Sequence, residues 1–276
     1  MNIASMRSYF YSAKAATAGS RAQSFGVRAL LTWVFAMVLA TPATTLVGPA
    51  YQAPEFAPYV VMVMNRSGGE ADFCTASVIS QNVVLTAAHC ITDLDDTQVF
   101  YRDAQGELVP FGVATIAIHP GYRPNIGRQH IVSIDLALLR LATPLPASFR
   151  PVKLSDIGAV RIGDLLRLVG FGRADETRGG TSGVLRQGVV VTNPPKSPAL
   201  VWLRDPEDAG LGGCTGDSGA PVFALDEPRL VAVAIKAKGE NGFLCGAMTE
   251  AVQITPQMPW IRRTLRGWDS TGRVVP

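Results

Sequence analysis

Past Leu46 the chain breaks into short apolar stretches of five to eight residues, among them YVVMVM, ASVIS, NVVLTAA, VATIAI, LALLRL, LLRLVGFG, GVVVT, ALVWL and LVAVAIKA. Val, Ile and Leu dominate these stretches, and Gly, Pro, Asn and Asp fill the gaps, which is the layout of many short strands in a sandwich or barrel. Helical periodicity is nearly absent until the end of the chain. There Thr255 can cap a helix, Pro256 fits its first turn, and QMPWIRRTLRGW puts Trp260, Ile261 and Leu265 roughly on one face. The Pro-containing stretch LATPLPASFRPVKL, residues 141–154, reads as a linker between two halves of about a hundred residues each. The pattern predicts an all-β body with one terminal helix.

The N-terminus follows a different pattern. Residues 1–28 carry Arg7, Lys14, Arg21 and Arg28 and no acid, and the apolar run ALLTWVFAMVLA and then TPATT follow. That is the layout of a signal peptide, expected over residues 1–43, with residues 44–45 as a short propeptide. The run is shorter than the ~20 residues a spanning helix needs, so a retained anchor is the lesser reading and no stable membrane insertion is expected after cleavage. Of 25 basic residues four lie in this leader, leaving 21 against 22 acidic ones. A balanced surface without a basic run gives no electrostatic footprint for nucleic acid, which is excluded as a partner. With 47% apolar residues in 276, the chain can bury a sizeable core.

Four cysteines, Cys74, Cys90, Cys214 and Cys245, in a chain with an export signal point to disulfides in three possible connectivities. A zinc site is the competing reading, but there is no C-x-x-C pair and only three histidines are present, so no metal and no cofactor is called for.

Three stretches carry candidate chemistry. GCTGDSGAPV, residues 213–222, sets Ser218 between glycines, the residue a chain uses where the backbone is left-handed or crowded; a plain Gly-rich turn is the alternative. VVLTAAHC ends an apolar strand in His89, and SIDLALLRL opens one with Asp135. Each is unremarkable alone. Together they supply what acyl transfer at neutral pH needs: a hydroxyl, an imidazole to take its proton, and a carboxylate to fix the tautomer of that imidazole.

LTAAHC around His89, DLALLRL from Asp135, GFG at Gly170–Gly172 and GDSGAP from Gly216, in that order, resemble the trypsin/chymotrypsin-like serine proteases over roughly residues 46–265. The resemblance implies two packed six-stranded antiparallel β-barrels with a C-terminal helix. The N-terminal barrel is expected at about 46–145, the C-terminal barrel at about 152–254, the helix at about 256–266 and a short tail at 266–276. It implies Ser218 as nucleophile, His89 as base and then acid, Asp135 as orienting group, the backbone N–H groups of Gly216 and Ser218 as oxyanion hole, and the pairs Cys74–Cys90 and Cys214–Cys245. Asp217 is expected to pair with a new amino terminus, and LVGPA makes Leu46 the candidate, released at Thr45–Leu46; no Lys or Arg precedes it.

For substrate preference, the resemblance puts Gly212 at the floor of the specificity pocket, with Gly213 beside it and Lys236 and Ala237 on its wall. No carboxylate stands there, so an apolar or small side chain is expected and Arg or Lys is not. Ile235 stands where the family has a serine that hydrogen-bonds the catalytic carboxylate, leaving Asp135 less well held. DLDD, residues 93–96, and His119 and His130 are assigned no catalytic role. The function expected is a secreted or periplasmic serine endopeptidase, a monomer acting on protein or peptide substrates. A weak or inactive homologue serving as a binding or signalling module is the alternative, and an esterase a third reading.

Overall fold

The computed structural model describes residues 46–67, 70–124, 132–154 and 160–271. The expected signal peptide and propeptide, His130 and the end of the tail lie outside the described residues. The elements in chain order are β1 (Tyr51–Gln52), a 3-10 turn (Pro54–Tyr59), β2 (Val60–Ser67), β3 (Glu70–Ser80), β4 (Val83–Thr86), a 3-10 turn (Ala88–Cys90), β5 (Thr97–Arg102), β6 (Leu108–Ile118) and β7 (Ala137–Leu141). There follow β8 (Lys153–Leu154), β9 (Leu165–Gly170), β10 (Arg186–Asn193), β11 (Leu200–Arg204), β12 (Pro221–Ala224), β13 (Arg229–Lys238), β14 (Met248–Gln253), a third 3-10 turn (Thr255–Gln257) and α1 (Met258–Thr271).

Strands β2-β3-β4-β7-β6-β5 close into one antiparallel barrel, β5 returning to β2 with Phe100 opposite Met62. Strands β9, β10, β11, β14, β13 and β12 close the second, β12 returning to β9 with Val222 opposite Leu168. Two six-stranded antiparallel barrels and one C-terminal helix are the architecture the sequence led us to expect.

The period-2 alternation of a strand explains how two barrels share one chain's worth of apolar residues. Val61 and Val63 of β2 and Val84 of β4 point into the first barrel, with Val99 and Leu139. Their neighbours Val60, Met62, Val83 and Leu85 face the other way, into a layer that also takes Val169, Phe223, Val233 and Val252 from the second barrel and Trp260 and Ile261 from α1. Leu168, Val222, Ala232 and Ala234 turn into the second barrel's own interior. Strand β4 is therefore buried on both faces, which is why VVLT reads as a continuous apolar run. Phe223, fully buried in the shared layer, stacks on Phe56 at 5.5 Å. Phe223→Ala is expected to destabilise the protein by about 3–5 kcal/mol, through lost transfer energy and the cavity left behind; urea unfolding is the check.

Two boundaries differ from expectation. Residues 46–52 lie ahead of the first barrel in sequence but belong to the second in space: Val47 bridges Gly212, and β1 pairs with β10, Tyr51 opposite Gln187. The reason is burial, since Leu46 and Ala50 sit in the second barrel's core beside Leu211. The helix begins after a 3-10 turn and runs past residue 266 to Thr271, Gly267 being tolerated within it. Among the described residues no helix is long and apolar enough to cross a membrane.

Candidate active site

The site forms where ends of both barrels meet. His89 sits in the 3-10 turn after β4, and a disulfide between Cys90 and Cys74 ties that turn to β3. The His89 backbone N–H donates to Asp135 Oδ1 at 2.9 Å, and Nδ1 lies 2.6 Å from Asp135 Oδ2. A carboxylate only accepts, so the proton is on Nδ1 and the neutral ring leaves Nε2 as an acceptor. Ser218 Oγ stands 2.8 Å from that Nε2. Asp135 is buried at the mouth of β7, whereas the His89 side chain is 37% exposed, open to a ligand from the solvent side.

The Ser218 turn is held to the first barrel largely through one residue the sequence did not single out, the buried Thr75 of β3. Its N–H donates to Ser218 O at 2.8 Å, its hydroxyl donates to Gly216 O at 2.9 Å, and the same hydroxyl accepts the Phe171 N–H at 3.1 Å. Its carbonyl accepts the Thr86 hydroxyl, one turn before His89. Gly216 has φ +98°, and a Cβ there would strike the Phe73 ring, so the turn's glycine is required by conformation and by space together.

Asp217 points away from the cleft into the second barrel. It is 2% exposed and accepts the N–H of Gly172 on Oδ1 at 2.8 Å and of Cys214 on Oδ2 at 2.9 Å. A side chain on Gly170 or Gly172 would occupy the space of its carboxylate, which accounts for both glycines of GFG. Burial pushes the Asp217 carboxyl up to about 7, against the two backbone N–H groups and the positive charge of Arg186.

The residues expected to set specificity divide. Lys236 and Ala237 line the cleft of about 580 Å³ that also holds His89 and Ser218. Behind Ser218 only a recess of about 10 Å³ opens, lined by Gly213, Ala237 and Thr249 among others. Gly212 does not line that recess: it backs onto Gly246, leaving no space for a side chain, and its N–H bonds Val47 O. The short connection from Cys245 to β14 brings Gly246 there and Thr249 to the floor, where its hydroxyl accepts the Gly213 N–H at 2.8 Å. Thr249 and Glu176 were not foreseen. Glu176 accepts the N–H of Leu244 and of Cys245, both at 2.9 Å, pinning the loop beside the second disulfide, Cys214–Cys245, with Leu244 75% exposed at the cleft. Two other hollows, of about 660 and 670 Å³, are lined by neither His89 nor Ser218.

The remaining candidates have structural places. The sulfurs of all four cysteines are bonded to one another and so are not thiolate ligands. His119 accepts the Gly121 N–H and packs edge-on against Trp260, with burial first and the Arg263 charge second holding its pKa below the usual histidine value. Asp93 caps its own loop by accepting the Asp96 N–H.

Two closed antiparallel barrels joined at a Ser–His–Asp hydrogen-bond chain define the class of two-barrel serine proteases. The Trypsin family model matches residues 46–261, and the chain belongs to that family. It is similar to cathepsin G of Mus musculus, 26% identical over 253 residues that cover 86% of this chain and 92% of the relative. It is also similar to serine proteinase stubble of Drosophila melanogaster, 28% identical over 83% of this chain but spanning only 32% of that protein. Among solved structures, the scabies mite inactivated protease paralogue S-I1 shares the fold, with TM-score 0.64 and 22% identity over 80% of this chain and 99% of that one.

Proposed function

We propose that this protein is a secreted or periplasmic serine endopeptidase that cuts after small or apolar residues, with Ser218, His89 and Asp135 as its catalytic groups. The observation that carries the reading is the chain of hydrogen bonds from Asp135 through His89 to Ser218, at 2.6 and 2.8 Å. Ser218 Oγ attacks the peptide carbonyl carbon as its proton passes to His89 Nε2, and the backbone N–H groups of Gly216 and Ser218 receive the oxyanion. His89 then gives that proton to the leaving amine, and water repeats the sequence on the acyl-enzyme. No cofactor enters these steps, and the enzyme works as a monomer. Two disulfides fit an oxidising compartment and the signal-like leader. Leu46, buried in the second barrel, is the proposed mature terminus, with Asp217 as its partner after a short propeptide is trimmed.

A fluorophosphonate probe on purified protein tests the reading, beside Ser218→Ala and with N-terminal sequencing of the same sample. Labelling of the wild type alone, on a chain starting at Leu46, is the expected result; absence of labelling on that chain would sink it. The second reading, a non-catalytic binding module, draws on the departures at Ile235, a hydrocarbon where the family has a hydroxyl, and at Lys236 beside it, and would show that absence.

The near-closed recess behind Ser218 predicts the preference. In a peptide library kcat/KM with Ala or Val before the cut is expected to exceed that with Arg or Phe by about 100-fold or more, a buried cation or an oversized ring having no place there. Equal or faster cleavage after Arg would refute the assignment.

A further inference from the structure

The site leaves one buried charge unexplained. Arg186 opens β10, is 4% exposed, and its Nε and Nη1 have no hydrogen-bond partner among the described residues. A guanidinium removed from water without partners is costly, so a fold that keeps one needs a compensating negative charge close by. The strand register shows which. Arg186 lies directly opposite Gly170 of β9, and side chains of directly opposed residues leave the same face of the sheet. On that face a Cβ at Gly170 would run into the Asp217 carboxylate. Arg186 therefore projects toward Asp217 over the gap that the missing side chain leaves, with Gln52 of β1 opposite it on its other edge. The interaction acts through space, since the Asp217 oxygens accept the N–H groups of Gly172 and Cys214. It is reciprocal but does not outweigh burial on either side: burial holds the Arg186 pKa below its ordinary value and the Asp217 charge opposes that, while burial holds the Asp217 carboxyl up and the Arg186 charge opposes that.

We propose that Arg186 is a positioning residue for Asp217, supplying the positive charge that keeps this carboxylate, and with it the Gly216–Ser218 turn, in working order while Leu46 is still joined to Thr45. The proposal rests on the endopeptidase reading and goes beyond it. A buried carboxylate with no cation nearby is driven to take up a proton or to leave its slot, and leaving would pull the turn it belongs to out of shape. Arg186 lowers that drive from within the chain. Cleavage before Leu46 then adds a second cation to a site already formed, and the unprocessed protein has basal activity.

The test uses the full chain with residues 41–45 replaced by the recognition sequence of a site-specific protease that cuts before Leu46. Fluorophosphonate labelling rate, kcat and KM for a peptide amide, and thermal midpoint are measured before and after the cut, for wild type, Arg186→Met and Arg186→Lys. The uncut wild type is expected to label at about a hundredth of the cut rate or faster. Arg186→Met is expected to lower the uncut rate and kcat about 10-fold or more while changing the cut form less than about threefold, and Arg186→Lys to keep the uncut rate. An uncut wild type no more reactive than Ser218→Ala overturns the proposal, as does an Arg186→Met that slows both forms alike. Should the Met variant not fold, the Lys variant decides: a folded Arg186→Lys without uncut activity also overturns it. If even the cut wild type fails to label, the endopeptidase reading falls too; labelling of the cut form alone sinks only the role of Arg186.

Discussion

Replacing Ser218 with alanine is expected to lower kcat for a peptide amide by about 10⁶-fold, the scale seen when a serine nucleophile is removed from an intact triad. That is about 8 kcal/mol of barrier. The loss is large because the three groups act as a unit: without Oγ, the imidazole at 2.8 Å has no proton to take, and the proton on Nδ1 that Asp135 secures serves nothing. In the proposed mechanism the oxyanion site and substrate binding survive, so KM is expected to change little. The thermal midpoint is also expected to stay close to that of the wild type, because the backbone bond through Thr75 holds Ser218 in place and its hydroxyl bonds only the part-exposed His89 ring. Steady-state kinetics with an active-site titration make the measurement. A residual kcat above about a hundredth of wild type would mean that another group is the nucleophile.

Asp135→Asn is expected to cost about 10⁴-fold in kcat, or about 5.5 kcal/mol, with the fold intact. The geometry gives the reason. Asp135 Oδ1 accepts the His89 backbone N–H, and Oδ2 faces Nδ1. An asparagine must keep its oxygen toward the backbone N–H, because turning its NH₂ there would set two donors against each other. Its NH₂ then faces Nδ1 and forces the ring proton onto Nε2, which can no longer accept from Ser218. The same variant should lose fluorophosphonate labelling in proportion, since that reaction also needs an activated hydroxyl. A loss smaller than about tenfold would show that Asp135 does not set the tautomer.

Much of this arrangement could be read from the chain before folding. The apolar runs YVVMVM and NVVLTAA mark short strands, and the terminal periodicity marks α1. His89, Asp135 and Ser218 stand out because their residue types suit one chemistry and lie in short motifs, and the structure brings them within hydrogen-bonding distance. Thr75, Thr249 and Glu176 were not legible, because nothing in a single Thr or Glu distinguishes one that bonds a distant backbone from one that faces water. Gly212 illustrates the opposite error: counting back from Ser218 puts it at the pocket floor, but the short connection after Cys245 brings Gly246 against it and moves the recess to Gly213 and Thr249.

The sequence by itself determined the class of fold and the chemistry on offer, since strand period, turn residues and the identity of three side chains are local properties that need no partner to be read. Only the tertiary structure decided how those groups are held and what their surroundings are. Thr75 meets Gly216 across 141 positions of chain, and Arg186 comes opposite Gly170, whose missing side chain leaves room for Asp217, only because β10 pairs with β9 in one register. A shift of one residue would turn Arg186 to the opposite face of the sheet, and that choice is made by packing apolar faces against one another, not by any residue near the site.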